Sequence, residues 1–232
     1  MFVRNQPAMK IGSSLVIADL HLGIEDELNR NGVNIADQTS VLLKNILSLV
    51  KKTRAKEIIL LGDIKNSIYI KKEDRFKIPF FLNKLGDRIK VLLIKGNHDG
   101  RIEKLAGKNI EVCSFVKRGC YLLTHGHKKI PKKLLKDSKT KSIIIGHNHS
   151  GIRFRDRFGV TSTEPCWVIG TTKTKAKKQV ILMPAFNPLV GAIAINKDGV
   201  LGPVAKSMRL DNAKIYLLDG TYLGHLKDVR IK

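Results

Sequence analysis

Residues 141–151 read KSIIIGHNHSG. Three isoleucines run from Ile143 to Ile145 into Gly146, and His147 and His149 then flank Asn148. A short apolar β-branched run bounded by a turn residue reads as a buried strand, so both imidazoles stand on the loop beyond its carboxyl end. A hydrogen-bonded structural role would account for one histidine in such a place. It does not account for the repetition of the same design along the chain.

SSLVIADLHLG places Asp19 and His21 after an apolar run, EIILLGD does the same for Asp63, and IKVLLIKGNHDG does so for Asn97, His98 and Asp99. CYLLTHGH brings His125 and His127 in the same way. Between the strands lie helical patterns. Leu42, Ile46, Leu49 and Val50 recur at helical spacing in a segment that Asn34 could cap, and EDRFKIPFFLNKLG forms a second helix that Pro79 limits or kinks. Apolar strands alternating with helices predict an α/β fold with its functional loops at the carboxyl ends of the strands. After Gly151 the short segments VILMPAFNPL, GAIAIN, AKIYLLDG and TYLGHL predict a mostly antiparallel second sheet. A chain of 232 residues fits one domain over 1–232, with the motifs at about 11–151 and a β-rich part at about 152–232.

Lys and Arg number 43 against 20 Asp and Glu, a formal net charge of +23. Such a field attracts polyanions and so nominates nucleic acid or phosphorylated substrates as partners. The lysine-rich stretch KKIPKKLLKDSKTK begins just past the HGH loop, where its first lysines stand near the mouth of any site there; KTKAKK reads as a surface loop. Aromatic residues do not interleave with these clusters, so backbone electrostatics rather than base stacking would dominate DNA or RNA binding. Cys113, Cys120 and Cys166 form no metal-binding spacing and no disulfide framework. Together with the lack of a signal-like or membrane-spanning apolar run, they predict a cytoplasmic protein without a membrane partner. The sequence does not fix the oligomeric state.

Six of the seven histidines (His21, His98, His125, His127, His147 and His149) lie just beyond apolar strands; His225 does not. Gathered with Asp19, Asp63 and Asn97, they predict a metal centre. Mixed nitrogen and oxygen donors without thiolate suit Mn, Fe, Zn, Co or Ni better than an all-oxygen cage for Mg or Ca. Two such ions, roughly 3.5 to 4 Å apart, can clamp both oxygens of a phosphoryl displacement.

In this order DLH, GD, GNHD, HGH and GHNH resemble the five blocks of the calcineurin-like metallophosphoesterases, from Asp19 to His149. GDIKNS, the loop GIEDELNRNGVNI after the first block, and MPAFNPLVGA further resemble the small archaeal SbcD-related, or ICC-like, branch. The resemblance implies a four-layer α/β/β/α sandwich with two mixed sheets and a dinuclear-metal phosphoesterase, manganese foremost, acting through a metal-held hydroxide as a phosphodiesterase or nuclease. It implies that Asp19, His21 and His149 hold one ion, that Asn97, His125 and His147 hold the other, and that Asp63 bridges them. Asn97 and His98 would touch substrate and His98 would protonate the leaving oxygen. Asp99 would orient that imidazole, and His127 would stand behind the ligands. GD lacks the Asp-Arg-Gly continuation and GNHD the glutamate of the protein phosphatases, which argues against phosphoprotein substrates. Ser150 replaces a proline of the nearest branch, and there is no room for the large capping domain of the dedicated SbcD nucleases. The rival readings are a non-catalytic scaffold of the same fold and a basic nucleic-acid-binding protein with structural metal.

Overall fold

In the computed structural model, which describes residues 1–231 and leaves Lys232 outside the described residues, the chain forms two sheets. In the first, β1 (Ala8–Ile11) lies antiparallel to β2 (Ser14–Ile17), which is followed in parallel by β3 (Glu57–Leu61), β4 (Lys90–Ile94) and β5 (Glu111–Cys113). Parallel neighbours require crossovers. These are supplied by α1 (Ile24–Arg30) and α2 (Thr39–Thr53) between β2 and β3, and by α3 (Asp74–Gly86) between β3 and β4.

The second sheet collects β6 (Val116–Arg118), β7 (Tyr121–Leu123), β8 (Ser142–Ile145), β9 (Ser150–Arg155), β10 (Thr161–Thr171), β11 (Gln179–Leu182) and β12 (Ile193–Ala194) in the order β12-β9-β10-β11-β8-β7-β6. β13 (Lys214–Leu217) joins β10, and β14 (Tyr222–His225) joins β13. The strands after Gly151 pair mostly antiparallel among themselves, as expected, but they do not form a sheet of their own. β11 returns to lie parallel to β8 and β8 parallel to β7, so both parts of the chain build one mixed sheet. The apolar run QVIL carries no sign of its partner's direction, because a strand buried on both faces does not alternate.

Side-chain alternation along these strands makes the layers. Ile58 and Leu60 of β3 face outward against Leu42, Ile46 and Leu49 of α2 and Phe81, Leu82 and Leu85 of α3. Ile59 and Leu61 face inward, meeting Leu123, Ile144, Trp167 and Ile181 between the sheets. On the far side, Ile143 and Ile145 pack with Val204 and Ala205 of α5 (Gly202–Lys206), and Leu134 and Leu135 of α4 (Lys132–Lys136) lie against the same cluster. The order is therefore α/β/β/α. Each fully buried Leu, Ile or Phe contributes roughly 1.5 to 3 kcal/mol, which explains how α3 tolerates Pro79 in its interior despite a cost of about 3 kcal/mol.

Three local expectations shift. α2 starts at Thr39, not near Asn34, because Asp37 Oδ1 accepts the Thr39 N–H at 2.8 Å and sets the turn there. Part of GIEDELNRNGVNI is the helix α1 rather than loop. In KTKAKK, Lys178 is buried, donating to the carbonyls of Asp137 (2.8 Å) and Thr140. Among the described residues no helix is long and apolar enough to cross a membrane.

Candidate metal centre

β2, β3 and β4 of one sheet and β7 and β8 of the other end at a common edge, and each delivers its polar loop there. The ladder between β2 and β3 continues past the strands: Asp19 N–H donates to Gly62 O at 3.1 Å, and His21 N–H to Asp63 O at 2.8 Å. The first two donor loops are thus held side by side by backbone bonds alone. Late segments brace them. Phe186 N–H donates to Ala18 O, and the buried Asn187 side chain donates to Leu20 O, each at 2.8 Å.

The backbone at the donors is unusual. Asp19, His21, Asp63, His147 and His149 all have φ between 39° and 67°, a left-handed region that non-glycine residues enter at a cost of about 1 to 3 kcal/mol each. Two glycines permit the crowding. A Cβ at Gly96 would fall 2.0 Å from Asp63 Oδ1, and one at Gly62 would fall 2.3 Å from His125 Cδ2.

The side chains converge in two groups. One donor atom each from Asp19, His21, Asp63 and His149 lie within 4.8 Å of one another, and so do those of Asp63, His125 and His147; Asp63 belongs to both. His125 Nε2 is 2.9 Å from Asp19 Oδ1 and 3.4 Å from Asp63 Oδ2. His21 Nε2 is 3.2 Å from His149 Nε2. Asp19, Asp63 and His125 are buried, whereas His147 and His149 are half-buried and mark the open side. Asn97 is exposed at the rim.

Two buried carboxylates have imidazoles and, among the described residues, no lysine or arginine as ionic partners, a mixed nitrogen and oxygen donor set that suits divalent cations. Burial opposes ionisation of Asp19, but hydrogen bonds and charge from His125 and His149 outweigh it and hold the carboxyl well below its usual range. Asp63 goes the other way, raised by burial and by Asp19 beside it despite the pull of His125. Burial lowers His21 to about 4, and burial with the charge of His125 lowers His147 and His127 to about 4. For His125 and His149 burial is outweighed by Asp19, and both are raised. The donor set fits two cations that share a carboxylate.

His98 sits beside this cluster, its ring centroid 4.9 Å from that of His21. Its Nδ1 faces the Asn66 carbonyl oxygen at 2.5 Å, so Nδ1 carries hydrogen and donates. The expectation that Asp99 orients this imidazole is corrected. Asp99 is fully buried, and its two oxygens accept the backbone N–H groups of Ile64 (2.9 Å), Lys65 (3.4 Å) and Gly96 (2.8 Å), tying the GD and GNHD loops together. His127 Nδ1 lies 3.1 Å from His125 Nδ1, on the side of that ring away from the carboxylates.

Asn66 and Lys65 are the functional residues that sequence reasoning misses. Asn66 also places Oδ1 3.3 Å from His21 Nδ1 and donates to Glu27 Oε2 at 2.7 Å. Lys65 is buried and donates to the carbonyls of Ser67, Ile68 and His98. The signal for Asn66 is its place three residues after Asp63; for Lys65 there is none, since lysine is ordinarily exposed.

Comparison with protein families matches residues 9–181 to the calcineurin-like phosphoesterase superfamily domain. The chain belongs to that superfamily. Its two donor groups are those of a metal-dependent hydrolase, and the sandwich is that of the superfamily. No curated protein matches the sequence. Among solved structures, this phosphoesterase chain resembles Pseudomonas putida nuclease MPE at 21% identity and a TM-score of 0.54, over 89% of this chain and 85% of the other. It also resembles the E. coli phosphoesterase Yfce at 14% identity and a TM-score of 0.45, over 91% and 96%. Entamoeba histolytica Vps29, crystallised with zinc, shares 15% identity at a TM-score of 0.34, over 90% and 94%. At these identities the likeness to the nuclease is one of fold.

Proposed function

We propose that the chain is a phosphodiesterase or nuclease of the SbcD-related branch, working with two manganese ions. The observation that carries this reading is the membership of Asp63 in both donor groups, since a shared carboxylate is what holds two ions close enough to act on one phosphoryl group. Asp19, His21 and His149 would hold one ion with Asp63, and His125, His147 and the rim residue Asn97 the other. Bound there, the ions would supply Lewis acidity toward phosphoryl oxygens and acidify a water.

The protein's own groups do the rest. His98, with Nδ1–H donating to the Asn66 carbonyl, acts in its doubly protonated form: the Nε2–H goes to the leaving oxygen, which departs as the alcohol, and the neutral Nδ1–H imidazole remains. Asp99 acts as a positioning residue, pinning the loops that carry Asp63 and His98. His127 accepts from Nδ1 of His125, which keeps Nε2 of His125 for the ion. The exposed Lys128 and Lys129 next to the HGH loop draw the phosphate-rich substrate, DNA and RNA included, toward the mouth.

A manganese-reconstituted assay compares a chromogenic diester, a monoester, a cyclic nucleotide and single- and double-stranded DNA. Faster turnover of diesters than of the monoester is the expected result; no hydrolysis of any substrate with both metals bound would instead make the chain a scaffold.

A further inference from the structure

Beyond Asp63 the chain lines a second recess that the groups assigned above leave unused. Ile68 and Tyr69, Arg75 at the start of α3, and Gly100, Arg101 and Lys104 surround a bowl of about 610 Å³. It is stapled to the reaction site. The buried ammonium of Lys65 donates to the carbonyl of Ile68 on the bowl's wall, to that of Ser67 just before it, and to that of His98. Gly100, two residues past His98, packs so close to the Ile68 carbonyl that a Cβ would come within 3.0 Å. The bowl and the imidazole of His98 therefore share one base.

Its chemistry is specific. Tyr69 is 83% exposed, a large aromatic surface with no stacking partner among the described residues. Arg75, Arg101 and Lys104 are exposed, and none of them is ion-paired among the described residues. The nearby acids are committed elsewhere: Asp74 Oδ2 accepts the Lys71 N–H at 2.8 Å, and Glu103 pairs with Lys95 at 2.5 Å. One open aromatic face among three unopposed cations matches a nucleotide, the ring stacking on the base and the cations meeting phosphate. An acidic peptide would use the cations and leave the ring idle.

We propose that this bowl is a nucleotide subsite, in which Tyr69 stacks on the base and Arg75, Arg101 and Lys104 hold the phosphate of the nucleotide next to the scissile bond. The proposal rests on the phosphodiesterase reading for its place in a reaction, but its binding test does not need turnover. Full-length protein in EDTA is titrated with a fluorescent oligothymidylate and with an abasic oligomer of equal charge, and melting curves check folding. Tyr69→Ala is expected to weaken the oligothymidylate about fivefold or more and the abasic strand less than about twofold, with Tyr69→Phe restoring binding. The double variant Arg75→Ala/Lys104→Ala should weaken both strands and flatten the slope of log affinity against log salt by about 1.4, or about 0.7 per lost phosphate contact. An unchanged preference for bases over the abasic strand in Tyr69→Ala, or an unchanged salt slope in the double variant, overturns the proposal. Hydrolysis of bis(p-nitrophenyl) phosphate by the manganese-loaded wild type is followed separately. If that alone fails, the phosphodiesterase reading falls while the binding result still decides the subsite.

Discussion

The backbone N–H of His98 donates to Asp63 Oδ1 at 2.8 Å. The residue assigned to the leaving oxygen is therefore anchored on the carboxylate assigned to both ions, and metal site and proton donor are built as one unit. Asp63→Asn keeps an acceptor for that N–H but lowers the charge between the ions. Calorimetric manganese titration should give fewer than two bound ions, and diester turnover should fall by about a thousandfold, equivalent to the several kcal/mol that such charge stabilisation supplies. Full retention of both ions would remove Asp63 from the bridging role.

His98→Gln tests proton donation through leaving-group dependence. General acid catalysis contributes roughly 10² to 10⁴ when the leaving oxygen is a poor one and little for p-nitrophenolate. The variant should therefore lose that factor on an alkyl or nucleoside diester and stay within about tenfold of wild type on the chromogenic substrate. Equal losses on both would assign His98 to phosphate binding alone.

Metal uptake should release protons. Metals bind neutral imidazole, yet Asp19 raises His125 and His149 against the effect of burial, whereas His21 and His147 lie at about 4 and are already neutral near pH 7. His125 and His149 therefore shed their protons above the ordinary imidazole value, so apparent affinity should climb as pH rises above about 6.5. Between pH 5 and 6.5 His21 and His147 should add nothing to that climb. Calorimetry of the chelated protein at pH 6.5 in buffers of different ionisation enthalpy counts the protons; zero release there contradicts the assignment.

Two glycines make an opposed pair. At Gly96 an added Cβ meets Asp63 Oδ1 at 2.0 Å and its backbone nitrogen at 2.3 Å, so Gly96→Ala should cost about 1 to 3 kcal/mol, as overpacking does, and should weaken metal binding as well. Gly86, at the exposed end of α3, has nothing within 4 Å of its added Cβ, and Gly86→Ala should stabilise by about 0.4 to 1 kcal/mol. Chemical denaturation of the two variants, with and without manganese, reads both signs.

The strands and their donors are legible in sequence because each apolar run gives way within a residue or two to glycine or polar donors, and that pattern survives whatever packs around it. Direction and partnership of the later strands are not, since β11 reads the same beside β8 as it would anywhere else. The start of α2 turns on one hydrogen bond that Asp37 accepts from Thr39 N–H, and α1 spans too few residues to show a period. Asp99 misleads for a different reason. Adjacency to His98 suggests contact with its ring, whereas a fully buried carboxylate goes where unsatisfied amides are, here those of Ile64, Lys65 and Gly96.

The parallel pairing of β8 with β11 has a consequence for synthesis. Ser142–Ile145, the strand that presents His147 and His149, leaves the ribosome well before Gln179–Leu182, its inner partner, and Asn187, the brace on the first donor loop, emerges later still. A nascent chain ending near residue 150 thus carries every donor of the proposed centre, yet β8 still lacks its β11 partner and the first donor loop its Asn187 brace.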